Sequence, residues 1–120
     1  MHIQESGEMY LETILMLSRN LPAVRAIDVC EEMGYSKPSV SRAMGLLKKG
    51  EFINIDEQGH ISLTESGLAV AEKIYKRHRV LTELLKKLGV SAETAVLDAC
   101  KMEHAISDET YEKIESFISG

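Results

Sequence analysis

Cysteine is scarce in this chain: 120 residues hold only Cys30 and Cys100, far apart and each inside a helical pattern. A cytosolic chain keeps both as thiols. Long apolar runs are missing as well, and no uninterrupted stretch approaches the roughly 20 residues that cross a membrane. Residues 1–8, MHIQESGE, lack the basic start and apolar core of a secretory leader. Internal repeats, low-complexity tracts and flexible linkers are also absent. The expectation is a cytoplasmic globular protein without membrane association. At 120 residues it forms one folding unit or two short ones sharing a core. Domains of that size often gain stability by dimerising.

Positive charge is in deficit too, with a formal net charge of −5. A nucleic-acid partner is disfavoured by that total unless the basic groups are segregated. Segregation is what the sequence shows: residues 61–90 hold six basic and three acidic groups, and residues 91–120 hold two basic and seven acidic. Arg25, Lys37, Arg42, Lys48 and Lys49 fall in or beside one helix pair. One DNA-facing side and one side facing something else fit this distribution, as do the solvated faces of an ordinary helical protein.

Apolar periodicity predicts a helix over 5–19, with Tyr10, Leu11, Ile14, Leu15 and Leu17 on its sticky face, stopped by Asn20-Leu21-Pro22. A short helix over about 24–33 follows, with Ile27 and Cys30 inward and Gly34 past its last turn. Ser36 then caps a third helix over about 37–49, with Pro38 in its first turn and Val40, Met44 and Leu47 inward. The period changes at Phe52-Ile53-Asn54-Ile55 and Ile61-Ser62-Leu63, two short strands around a turn in which Gly59 is free to take positive φ. Thr64 caps a long helix over about 65–88, whose inner positions are Leu68, Ala71, Ile74, Tyr75, Leu81, Leu85 and Leu88. Helices over about 92–105 and 108–118 complete the chain, the last one capped by Ser107.

Helix, helix, tight turn, helix and hairpin across residues 5–63 is the order of a winged helix-turn-helix. Its third helix carries Lys37, Pro38, Ser39, Ser41 and Arg42 on the outward, N-terminal half. Small hydroxyls there allow close approach to duplex DNA. Arg42 has the fork that pairs with guanine, and Lys37, Ser39 and Ser41 reach phosphates or shallow base edges. Lys48 and Lys49 serve the helix dipole and solubility equally well.

Cys100, Glu103 and His104 stand three and four residues apart in one helix, over one patch of its surface. Thiol, carboxylate and imidazole are ligand types for divalent transition metals. Met9 and Glu12 are three apart on the first helix, and His78 lies beside an apolar stripe of the fourth. Convergence of these helices would bring the groups to one ion. Blander roles exist for each: Cys100 as a small buried hydrophobe, Met9 as core filler, His104 facing water, His78 as a hydrogen-bonded core histidine. A cysteine–histidine enzyme uses the same residue types. Here, however, the two are one turn apart on a single helix, and no enzymatic activity is expected.

With these motifs in place, the chain resembles the diphtheria toxin repressor family of iron- or manganese-dependent regulators. The resemblance is carried by Glu8-Met9-Tyr10-Leu11-Glu12-Thr13-Ile14, Pro38-Ser39-Val40-Ser41, Leu63-Thr64-Glu65-Ser66-Gly67, Arg77-His78-Arg79 and the stretch from Cys100 to Glu109. It implies a mainly α homodimer: a winged helix-turn-helix over 1–64, then a linking helix and an all-helical metal-binding and dimerisation domain over 65–120. It also implies a repressor whose grip on a double-stranded operator strengthens with Fe²⁺ or Mn²⁺. Met9, Cys100, Glu103 and His104 match the primary ligands of the iron-responsive branch, and His78 matches an ancillary histidine. The accompanying ancillary glutamate is Thr82 here, and a second ancillary histidine is Val96. Glu12 and His78 match the manganese-responsive branch, whose aspartate and second glutamate are replaced by Met9 and Cys100. The chain thus looks like a hybrid of the two, in a short form without the family's SH3-like domain. The alternative is a metal-independent winged-helix regulator with Cys100 and Met9 packed as core.

Overall fold

A computed structural model describes residues 5–120; residues 1–4, part of the reading of the chain's start, lie outside it. The elements run α1 (Glu5–Asn20), α2 (Ala26–Met33), α3 (Lys37–Lys49), β1 (Ile53–Ile55), β2 (Ile61–Leu63), α4 (Glu65–Lys87), α5 (Ala92–Ala105) and α6 (Asp108–Ser119). Two compact units result, Met1–Glu72 and Lys73–Gly120, and α4 contributes to both.

The first unit is a winged helix-turn-helix. Leu11 and Ile14 of α1, Val29 of α2, Val40 of α3 and Ile53 of β1 form a core almost wholly shielded from water. Gly34 closes α2 at φ 71°, and its N–H donates to the Cys30 carbonyl (2.8 Å). Only a residue without Cβ takes this left-handed turn at no steric cost. Ser36 then starts α3 by accepting from the Ser39 N–H. In the wing, Ile53 pairs with Leu63 and Ile55 with Ile61, antiparallel. The Asp56 carboxylate organises the turn by accepting from the N–H groups of Gln58 (2.9 Å) and His60 (2.8 Å). Those bonds, that of His60 above all, hold its carboxyl below the usual carboxylate range.

Two expectations need correcting here. The second helix begins at Ala26, not at 24, because the Val24 carbonyl accepts from the Ile61 N–H (2.7 Å) and is drawn beside the wing. Ile27 does not point inward either; it is 46% exposed. Val29 and Cys30 face the core, and a residue two positions before Val29 lies roughly opposite on a helix of 3.6 residues per turn.

In the second unit, Ile74 and Leu81 of α4, Ala95 and Ala99 of α5 and Tyr111 of α6 are buried. Ser91 and Ser107 cap α5 and α6 by accepting from the N–H groups of Thr94 and Thr110. Leu68 and Leu88, expected on the inner face of α4, are exposed. Leu88 lies past the last residue of that helix, so the helical period no longer dictates its direction.

Where the wing meets the start of α4, the chains approach too closely for a side chain. A Cβ on Gly67 would sit 2.0 Å from the Phe52 carbonyl oxygen, a backbone atom that cannot swing away. Gly67→Ala is therefore expected to destabilise the protein by about 1–3 kcal/mol, the usual cost of overpacking. Urea unfolding followed by circular dichroism measures this, and an unchanged midpoint would contradict the close approach.

Candidate metal centre and reading helix

Every side chain singled out for DNA contact is exposed on α3: Lys37, Pro38, Ser39, Ser41 and Arg42. Val40, Met44 and Leu47 hold the opposite face of the helix in the core, which fixes the direction in which the polar half points. The Ser36 hydroxyl donates to the Ser39 hydroxyl (2.9 Å), so the first turn of α3 is braced before it meets any partner. His60 is not a free wing-tip group. Its ring lies 3.4 Å from the Asp56 carboxylate in the wing's own turn and 3.1 Å from the guanidinium of Arg25 at the start of α2.

The metal-ligand candidates fall in both units. On α1, Met9 and Glu12 are both half-buried and share one face of the helix. In the second unit the structure assembles a cluster. Glu103 is fully shielded from water. Its Oε2 lies 2.9 Å from Nδ1 of His78 on α4. Its Oε1 lies 3.2 Å from Nε2 of His104, whose side chain is also wholly buried. Cys100, partly exposed, stands one turn earlier on the same helix. A water-facing His104 and a fully buried Cys100 are thus both set aside. A carboxylate removed from water needs a matching charge or strong donors. Carboxylate and imidazole donors fit Fe²⁺ or Mn²⁺, and the nearby thiol is a softer ligand. Thr82 donates its hydroxyl to the His78 carbonyl (2.7 Å), and Val96 is exposed, so neither adds a side-chain donor to this cluster.

Arg77 enters the sequence reading only as part of the Arg77-His78-Arg79 motif, with no sign of a structural role. It is only 5% exposed. Its guanidinium donates to the carbonyls of Glu103 (3.2 Å) and Ile106 (3.0 Å), pairs with the Asp108 carboxylate and stacks on the Tyr111 ring at 5.1 Å. The last carbonyls of a helix have no partner within it, and a guanidinium there satisfies them and complements the dipole. Arg77 thereby ties the end of α5, which carries Glu103 and His104, to the helix that carries His78. Lys73 also meets Asp108 (3.2 Å). The hydrogen bond and charge of Lys73, and then Arg77, hold that carboxyl below its ordinary range.

Arg77→Met is expected to cost about 1–3 kcal/mol, because it strands buried carbonyls. Asp108, with its depressed carboxyl, supports the fold above the ordinary carboxylate range and loses that support as pH falls through its lowered value. Asp108→Asn should therefore flatten the acid limb of a thermal-denaturation pH profile. An acid limb identical to wild type would refute the pairing.

Comparison with known proteins matches both halves of the chain. Residues 2–61 match the family described as iron dependent repressor, N-terminal DNA binding domain. Residues 64–120 match iron dependent repressor, metal binding and dimerisation domain. The chain is 30% identical over 118 residues to an uncharacterized HTH-type transcriptional regulator of Methanocaldococcus jannaschii, covering 97% of this chain and 94% of that protein. It is 32% identical to the transcriptional regulator MntR of Escherichia coli, covering 97% and 75%. Against the iron-dependent repressor IdeR of Mycobacterium tuberculosis it is 27% identical, covering 97% of this chain and 51% of that protein. Among solved structures, the manganese regulator SloR superposes with a TM-score of 0.81 at 28% identity, over 99% of this chain and 55% of that one. A manganese-dependent transcriptional repressor in complex with manganese gives 0.85 at 25% identity, over 94% and 52%. The chain thus spans about half the length of IdeR and of these two solved structures.

Proposed function

The chain belongs to the iron-dependent repressor family, and from that premise we propose that it is a metal-activated repressor that binds a double-stranded operator as a homodimer and serves iron or manganese homeostasis. The observation that carries the metal-dependent part is the buried Glu103 carboxylate between the imidazoles of His78 and His104. We assign Met9, Glu12, His78, Cys100, Glu103 and His104 as the ligand set, the first two by correspondence to the family motif. Lys37, Pro38, Ser39, Ser41 and Arg42 are assigned to DNA. On this reading the reading head occupies residues 1–64 and the metal-binding and dimerisation part residues 65–120.

The chain's own residues do most of the work. Glu103 and His104 share one turn of α5, which Arg77 holds from α4. Met9 and Glu12 lie on α1, whose Leu11 and Ile14 anchor it in the core of the reading head. Exposed Leu88, Val96, Leu97 and Phe117 supply apolar surface in the second unit, consistent with a dimerisation role. The bound divalent ion supplies Lewis acidity toward these donors. On this assignment donors come from both units, so metal occupancy and placement of the reading heads are linked, typically by a factor of about 5–150 in affinity. Two heads engage half-sites separated by roughly 34 Å, one turn of DNA, or a multiple of it. Cys100 and His104 are read as ligands rather than as a nucleophile and its base, and the protein as a regulator rather than an enzyme. No described helix is long and apolar enough to cross a membrane. A cytoplasmic place of action follows from the DNA partner.

Cys100→Ala and His104→Ala are each expected to abolish the metal stimulation of DNA binding while preserving helicity and dimerisation. Fluorescence anisotropy with a duplex enriched from a random-sequence pool, with and without Fe²⁺ or Mn²⁺, provides the readout. Wild-type metal dependence in both variants would remove the assigned site. Calorimetric titration of the wild type with either ion, showing no specific uptake, would leave the metal-independent regulator in its place.

A further inference from the structure

Four glycines are explained by the chain itself. Gly34, Gly59 and Gly89 adopt positive φ, and Gly67 has no room for a methyl group. Gly45 has neither reason. It lies in the middle of α3, and a Cβ there would meet nothing within 4 Å beyond its own stretch of helix. Glycine inside a helix is unfavourable relative to alanine, because it loses more backbone freedom on folding. Nothing within the described fold requires this one. The remaining use of a bare backbone is to let another molecule come close.

Its position says which molecule. Gly45 follows Ser41 and Arg42 by one turn on the outward side of α3, away from the buried Val40, Met44 and Leu47. Next to it, Leu46 is 64% exposed. A large apolar side chain stands there beside an outward face of lysines, serines and Arg42. Major-groove edges display mostly hydrogen-bonding groups, and the C5-methyl of thymine is their apolar feature.

We propose that Gly45 and Leu46 form a recessed apolar reading position on α3 that receives a thymine methyl group in the major groove. The inference rests on the DNA-binding reading above and deepens it. The missing Cβ of Gly45 brings the helix backbone toward the groove floor. Leu46 supplies the apolar contact. Arg42, one turn earlier, donates to a neighbouring base or phosphate.

The probe is the duplex that the wild-type protein, with Mn²⁺ present, enriches from a random-sequence pool. Each thymine in it is replaced in turn by uracil, which deletes the methyl group and changes nothing else. One such replacement per half-site is expected to weaken wild-type binding about fourfold, the fold-change of one buried methyl group, and to leave Leu46→Ala binding unchanged. Gly45→Ala is expected to raise the melting temperature and to weaken binding to the same duplex about fivefold, the lower end of a lost base contact. Wild-type affinity in Gly45→Ala, a lower melting temperature in that variant, or a uracil penalty that persists in Leu46→Ala would each overturn the proposal. Failure of the wild type to enrich any duplex would instead overturn the DNA-binding reading on which it stands.

Discussion

A carboxylate cut off from water is the constraint around which the second unit is arranged. Ionised and alone, Glu103 would carry a desolvation cost that no domain of this size tolerates. His78 and His104 answer its two oxygens from two different helices, and Arg77 answers the carbonyl of the same residue. Side chain and main chain of one glutamate are thus both held, each by a neighbour from α4. A cluster built this way is braced by packing as well as by sequence position.

The first unit meets a different requirement: to present one helix at a set angle with its polar half bare. Local chemistry achieves much of this. The left-handed turn at Gly34 and the Ser36 cap separate α2 from α3 within three residues. Core burial of Val40, Met44 and Leu47 then settles the rotation of α3 about its own axis. The wing is stiffened by Asp56, which takes up the free N–H groups of its turn, and by the contact of His60 with Arg25. Gly67 allows α4 to start directly against the wing. Small residues at points of contact and polar residues at points of turning define this reading head.

Much of the architecture was legible because its signals are local. Helix periodicity, serine caps and the change of period at the wing depend on neighbours a few residues apart, and the element boundaries agree with them to within one or two residues. The exceptions have tertiary causes. Val24 left its helix for a hydrogen bond to Ile61, 37 positions along the chain. Ile27 turned outward because Val29 and Cys30 claimed the core. At the Glu103 cluster, the i, i+3, i+4 spacing identified Cys100, Glu103 and His104 as one patch, but it carried no information about Arg77. That residue matters through two carbonyls, and carbonyls have no signature in an amino-acid sequence.

By itself the amino-acid sequence determined which segments are helical, which face of α3 is polar and which residue types are available as metal donors, since each follows from spacing and side-chain chemistry. Only the tertiary structure decided that His78 and His104 flank Glu103, that Arg77 is buried against the end of α5, and that Gly45 has empty space before it. The reason is physical. Burial and pairing across helices depend on where distant segments come to rest, and that is settled by the packing of the whole unit rather than by any stretch of chain alone.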